Sequence, residues 1–188
     1  MGQSGSRVID RRGAAPGLPS LSIFPTNLGW FGLLGSDSRL SSVWIGHVSE
    51  EQVRRAAQQR LTAMGKPADL RELDWNPKLR TRLERYAVGE RDEFNDVALD
   101  FPSQTEFQQR ILAVTRRIRY GKTMSYGDLA AKAGYPRAAR AVGTVMSSNL
   151  FPIVIPCHRV VAAGDKPGGY TSPQGVSMKL RLLALEAG

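Results

Sequence analysis

Two apolar runs near the start of the chain, 27–35 and 40–48, read as strands. Trp30, Leu33, Val43 and Ile45 supply side chains suited to a pleated surface, and Ser36-Asp37-Ser38-Arg39 supplies the turn between them. The period then changes to helical. Ser49 caps a helix with Gln52 at the box position, and Val53, Ala57, Leu61 and Met64 mark its apolar face. Asn76-Pro77 opens a second helix with Leu79, Leu83 and Tyr86 at helical spacing, because proline suits the first helical position. Val97, Leu99 and Phe101 alternate with polar residues and read as another strand. The expectation for 21–102 is therefore an α/β domain with a small antiparallel sheet. Nothing in it resembles a catalytic cluster, and His47, at a strand end, reads as structural.

Pro102 ends that strand and marks a boundary, so 103–188 is read as a second domain. Ser103 is the expected cap of a helix, with Glu106 at the box position and Phe107, Ile111, Val114 and Ile118 on one buried face, ending at Gly121. Ser125 and Asp128 start a short helix that Gly134 closes. After the turn Gly134-Tyr135-Pro136, a further helix runs over 137–148. Two short helices joined by a tight glycine-containing turn outline a helix-turn-helix, so this domain is expected to be mainly α. The second of these helices is rich in small residues (Ala138, Ala139, Ala141, Gly143, Ser147), with Arg140 flanked only by alanine. Small side chains permit close approach, either to a neighbouring helix or to a DNA groove. A last helix begins at Gly175 or Val176 and carries Met178, Leu182, Leu183 and Leu185 to Glu186.

Charge sharpens this picture. The chain has 26 Lys+Arg and 17 Asp+Glu, of which 12 and 4 lie from Thr105 onward. The excess positive charge thus sits almost wholly on the second domain, which suits a polyanion such as nucleic acid, although a well-solvated basic surface has the same signature. No apolar run reaches the length of a membrane span, so no membrane association is expected. Residues 1–20 lack the apolar stretch of a secretory signal and read as a disordered arm.

The chain has 1 cysteine, Cys157, and 2 histidines, His47 and His158. One cysteine permits no internal disulfide, which fits a reducing compartment, and is too few for a cysteine-built zinc site; no metal or cofactor is expected. Cys157 lies in Pro156-Cys157-His158-Arg159-Val160. A thiol is mostly protonated at neutral pH and needs a base or a positive setting to act as a nucleophile. In extended backbone, adjacent side chains point apart, so a water is the expected proton path from Cys157 to His158. Glu186 is the candidate to orient the histidine. Taken alone, Cys-His is weak evidence, and a buried structural cysteine is the default reading.

The wider run is more specific. Pro156-Cys157-His158-Arg159-Val160 resembles the active-site signature of the O6-alkylguanine-DNA alkyltransferases, the methylated-DNA–protein-cysteine methyltransferases. Ser125-Tyr126-Gly127, the run from Arg137 to Gly143, Asn149, Gly169-Tyr170 and Leu182-Leu183-Ala184-Leu185-Glu186 fall in the same order and nearly the same spacing. The resemblance is close from Ser103 to Gly188 and loose from Asn27 to Phe101. It implies an RNase H-like N-terminal α/β domain followed by a winged helix-turn-helix.

It also implies a function: direct reversal of O6-alkylguanine, and by extension O4-alkylthymine, by one-time transfer of the alkyl group to Cys157. The implied partner is double-stranded DNA bound through its minor groove by a monomer, in the cytoplasm of a bacterium or the nucleus of a eukaryote. In this scheme His158 takes the proton through water, Glu186 holds His158, and Asn149 braces the turn before the active-site segment. Tyr126 helps turn out the nucleotide, and Arg140 fills the space it leaves. Gly127, Tyr135, Arg137 and Gly143 belong to the DNA-binding set, and Val160, Tyr170 and Thr171 to the substrate pocket. The chain departs from the family's pattern at Leu150-Phe151, at Thr171, and in the longer stretch Thr171-Ser172-Pro173-Gln174-Gly175. That last stretch resembles the alkyltransferase-like proteins, which bind such lesions without repairing them and lack the acceptor cysteine. A lesion-binding protein that signals to another pathway is the alternative function.

Overall fold

The computed structural model describes residues 19–65 and 70–188. Most of the expected arm lies outside the described residues, but Ser20 already opens a strand. The first half is a four-stranded sheet in the order β3-β2-β1-β4. Its members are β1 (Ser20–Thr26), β2 (Gly29–Ser36), β3 (Arg39–His47) and β4 (Arg71–Glu72). β1 and β2 form a hairpin whose turn uses Asn27 and Leu28, so the run read as one strand from Asn27 starts two residues later. Thr26 ties this turn: its Oγ1 donates to the Gly29 carbonyl at 2.7 Å and accepts from the Leu28 amide at 3.1 Å. Gly29 has φ +103°, and a Cβ there would lie 2.8 Å from the His47 carbonyl oxygen, so only glycine fits. The second turn has positive φ at both Asp37 and Ser38, the mirror-image geometry that matches strand twist.

The sheet is mixed rather than antiparallel, because β4 returns parallel to β1. The strand expected around Val97–Phe101 is a single parallel bridge between Leu40 and Leu99, made by the Leu40 amide to the Ala98 carbonyl and the Asp100 amide to the Leu40 carbonyl. Pro102 follows directly and leaves no room for a longer ladder.

Helix α1 (Glu50–Ala63) covers one face of the sheet through Val53, Ala57 and Leu61. It comes close because Gly32 lacks a side chain: a Cβ there would fall 2.4 Å from a Val53 methyl. The opposite face, with Phe24, Phe31, Leu33 and Val43, joins α2 (Pro77–Tyr86) and the second half of the chain in one continuous core.

That second half is mainly helical: α3 (Glu106–Arg116), α4 (Tyr126–Lys132), α5 (Ala139–Ser147) and α6 (Val176–Ala187), with a small parallel pair β5 (Met124–Ser125) and β6 (Val160–Val161). The cap of α3 is Thr105, two residues after the expected Ser103. Thr105 and Gln108 satisfy each other's amides reciprocally, which a cap at Ser103 could not do with the helix starting at Glu106. α3 also stops at Arg116 rather than Gly121, as Ile118 bonds back to Thr115 in a tightened last turn. α4 and α5 form the expected helix pair, with Val142, Val145 and Met146 as the buried face of α5. Among the described residues, no helix is long and apolar enough to cross a membrane.

Candidate active site

Cys157 begins a short 3-10 turn, Cys157–Arg159, not an extended segment. Asn149 shapes the chain just before it. Its side-chain amide donates to the Ile155 carbonyl at 2.8 Å, and its oxygen accepts from the Phe151 amide at 3.0 Å. The turn between them places Ile153 at φ +72°, which a β-branched residue adopts only when held there. The 3-10 geometry sends Cys157, His158 and Arg159 in three directions from one turn, all of them buried.

The Cys157 thiol lines a cavity of about 650 Å³. Tyr126 and Gly127 of α4, Arg140 and Gly143 of α5, and Tyr170 and Thr171 of the loop before α6 line it too. Of the other pocket or DNA-binding candidates, Val160 is fully buried behind the cavity. Tyr135 stacks edge-on against Phe107 at 4.8 Å and lies near the Arg110 guanidinium, while Arg137 is exposed outside the cavity. Burial pushes the Cys157 thiol above its ordinary pKa, opposed by Asn149, the Lys179 charge and Tyr170. The thiol therefore carries its proton at neutral pH and needs a base. The buried Tyr170 hydroxyl faces it with no nitrogen or oxygen partner among the described residues, and burial also pushes that hydroxyl's pKa well up.

Behind the cysteine, His158 Nε2 lies 2.8 Å from Glu186 Oε1. Burial would raise the Glu186 carboxyl, but donors from His158, Arg159 and Tyr86 outweigh it and hold the carboxyl far below the usual range. An ionised carboxylate only accepts, so Nε2 carries the hydrogen and Nδ1 keeps its lone pair. Nδ1 has no partner among the described residues. Burial lowers the His158 pKa against the opposing pull of Glu186, so the ring is neutral at pH 7. A protonated thiol and a neutral imidazole with one free nitrogen, on adjacent residues, are the groups that nucleophilic chemistry with a general base requires.

A family model described as "6-O-methylguanine DNA methyltransferase, DNA binding domain" matches residues 106–188. The methylated-DNA–protein-cysteine methyltransferase of Mycobacterium tuberculosis H37Rv is 46% identical over 105 residues, 56% of this chain and 61% of that protein. That of Methanosarcina acetivorans is 44% identical over 105 residues, 56% of this chain and 65% of that protein. These alignments thus span less than two thirds of the curated relatives. The structural match is longer. The crystal structure of Mycobacterium tuberculosis OGT in complex with DNA is 32% identical with TM-score 0.71, covering 89% of this chain and 92% of that one. The enzyme of the archaeon Pyrococcus kodakaraensis KOD1 matches with TM-score 0.66 at 27% identity, over 89% of this chain and 99% of that one. The chain belongs to the O6-methylguanine DNA methyltransferase family.

Three residues packed around this candidate site carried no assigned role in the sequence. Tyr86, from the N-terminal half, donates its hydroxyl to Glu186 Oε1 at 2.5 Å and lies 3.3 Å from His158 Nε2. Its spacing in α2 marked it only as core. Arg159 is 2% exposed and grips Glu186 through Nε and Nη2 at 2.8–3.1 Å, while Nη1 donates to the Ile118 carbonyl at 2.5 Å. Lys179, fully buried in α6, donates to the Val160 carbonyl at 2.6 Å and sits 5.7 Å from the centre of the Tyr126 ring. A usable signal existed for Lys179, because it lies seven residues before Glu186 and so on the same helix face.

The long loop after Thr171 is also accounted for. Gln174 donates to the Gly46 carbonyl at 2.8 Å and accepts from Arg181, which in turn donates to the Asn27 carbonyl. The extra residues tie the wall of the cavity to the sheet.

Proposed function

We propose that this protein repairs O6-alkylguanine in duplex DNA by moving the alkyl group onto Cys157, once per molecule. The observation that carries the reading is the Cys157 thiol in a cavity edged by α5, with the Glu186-held His158 behind it. The alkylated oxygen lies within the base stack, so the nucleotide must turn out of the duplex to reach a buried thiol, and a damaged pair lowers the cost. The small residues of α5 suit close approach to a minor groove, and the exposed Arg140 suits the gap left by the base. Tyr126 lines the cavity where the turned-out nucleotide would enter.

In the reaction, a water between Sγ and His158 Nδ1 relays the thiol proton to the ring. The sulfur attacks the alkyl carbon in line, the C–O6 bond breaks, and the guanine anion leaves and is reprotonated. Glu186 stabilises the imidazolium. The product thioether resists hydrolysis, so no turnover follows. The α4–α5 pair serves as the DNA-reading element of a winged helix-turn-helix, and the N-terminal sheet is an RNase H-like support that lends Tyr86 to the site. The retained Cys157 favours repair over lesion binding alone.

The test is a duplex carrying O6-methylguanine. Mass analysis should show a gain of one methyl on the peptide holding Cys157, with guanine restored. Tight binding with an unmodified thiol and a persistent lesion would establish the lesion-binding alternative instead. Arg140→Ala should separate recognition from chemistry. Losing the residue that offsets unstacking should slow repair in duplex DNA by about a hundredfold, matching a flipping cost of a few kcal/mol. Reaction with free O6-benzylguanine, which needs no flipping, should change far less. Equal losses in single-turnover rates on the two substrates would remove Arg140 from that role.

A further inference from the structure

A smaller cleft of about 230 Å³ opens where the N-terminal sheet and α1 meet the end of α5. His47 and Arg60 line it from the first half of the chain; Ser147, Ser148, Thr171 and Ser172 line it from the second. Its charge is one-sided, since no Asp or Glu is among its lining residues.

Its arginine is also unspent. Arg60 Nε is buried without a hydrogen-bond partner, and Arg60 makes no ion pair among the described residues. Its neighbours in α1 contrast with it, because Arg54 is held by Glu51 and Glu72 and Arg55 lies by Glu51. His47 is 9% exposed; its Nδ1 has no partner among the described residues, and Gln52 hydrogen-bonds to its ring. The carbonyls of Thr144, Val145 and Met146 near the end of α5 are already taken without Arg60. The hydroxyls of Ser147 and Ser148 donate to the carbonyls of Thr144 and Val145, and the Ser148 and Asn149 amides to those of Thr144 and Met146.

Ser147 and Thr171 line both this cleft and the Cys157 cavity, so the two are adjacent. We propose that the cleft is an accessory phosphate subsite, in which the Arg60 guanidinium takes a backbone phosphate of the strand whose base enters the Cys157 cavity. A planar guanidinium presents paired donors that match phosphate oxygens, and the cleft lining holds no carboxylate to repel them. Such a contact carries no sequence information. It fixes the strand in register and brings the N-terminal half of the chain into the DNA interface.

The inference rests on the DNA-repair reading, and its test can fail separately. Affinity for a duplex, with and without the lesion, is measured between about 50 and about 200 mM salt, where each phosphate contact contributes roughly 0.9 to the slope of log K against log salt. Arg60→Gln should weaken binding about tenfold and flatten that slope by about one unit, as expected for losing one charge-assisted phosphate contact. Arg60→Lys, which keeps the charge, should keep the slope. Ser148→Asp, on an exposed position, should weaken duplex binding by placing a carboxylate in the cleft. The loss for Arg60→Gln on free O6-benzylguanine should be smaller than on duplex by at least about fivefold, which a merely structural role of Arg60 at the interface would not produce. An unchanged slope in Arg60→Gln, a slope lost equally in Arg60→Lys, or duplex affinity untouched by Ser148→Asp would each overturn the subsite. Failure of the native protein to transfer a methyl group would defeat the repair reading while leaving these binding comparisons intact.

Discussion

Cys157→Ser is expected to abolish alkyl transfer while leaving lesion binding within about twofold of the native protein. The thiol acts through its thiolate, and burial already holds its proton on at neutral pH. A serine hydroxyl in the same place is far less acidic, and neutral His158 is too weak a base to ionise it. The expected loss exceeds about four orders of magnitude, the range seen when a nucleophile is removed from a site that works as a unit. Binding survives because Cys157 is only 6% exposed and most of the cavity wall belongs to other residues. Intact-protein mass and gel shift on one O6-methylguanine duplex read both effects. A methyl gain on the serine variant would place the acceptor elsewhere. In the native protein the same chemistry has a pH signature. His158 is depressed below its ordinary 6.5, so transfer stays level through neutrality and falls only in more acid solution as the ring charges.

Some of this site was open to reading in the sequence, and the reasons differ by residue. Cys157, His158 and Asn149 stand within nine positions, and local chain geometry brings them together. The α4–α5 pair announced itself through Ser125 and Asp128 at its start and Gly134 at its bend, and the charge excess pointed to the same half. Tyr86 could not be found that way. Its place beside Leu79 and Leu83 is the pattern of any buried helix face, and its hydroxyl meets its partners, His158 and Glu186, only 72 and 100 positions later. Arg159 was in plain view, but a charge read as part of a motif gives no sign of being buried. In the fold, β1 was missed because Pro25 interrupts its pattern; the structure tolerates Pro25 one pair from the turn, opposite Trp30. The parallel return of β4 depends on a two-residue segment with no apolar pattern of its own.

Glu186→Gln should be the most destabilising conservative change in the site. The carboxylate accepts from Tyr86, His158, Arg159 and the Gly121 amide, so every direction around it is occupied by a donor. A glutamine keeps the shape but removes the charge, turns one oxygen into a donor facing donors, and leaves Arg159 at 2% exposure with only the partly exposed Glu93 as a counter-ion. Breaking a buried pair from one side costs about 3–5 kcal/mol, so the urea midpoint should fall sharply. Transfer should fall too, because His158 loses the acceptor that fixes its tautomer. Tyr86→Phe is the matched control: it removes one neutral donor, keeps the Arg159–Glu186 pair, and should cost about 1 kcal/mol. The pH dependence of stability follows in sign. Glu186 is held below its unfolded pKa, so its contribution is full above the unfolded carboxylate range and is lost as pH falls toward the folded value. His158, also depressed, is buried neutral and must be charged as the chain unfolds in acid, so its penalty begins just below 6.5 and acts in the same direction. The native protein should therefore lose stability in acid in two stages, histidine first. In Glu186→Gln the second stage should be reduced, because the carboxylate that produces it is gone. An acid profile unchanged by this substitution would mean that Glu186 does not hold the core of the site together.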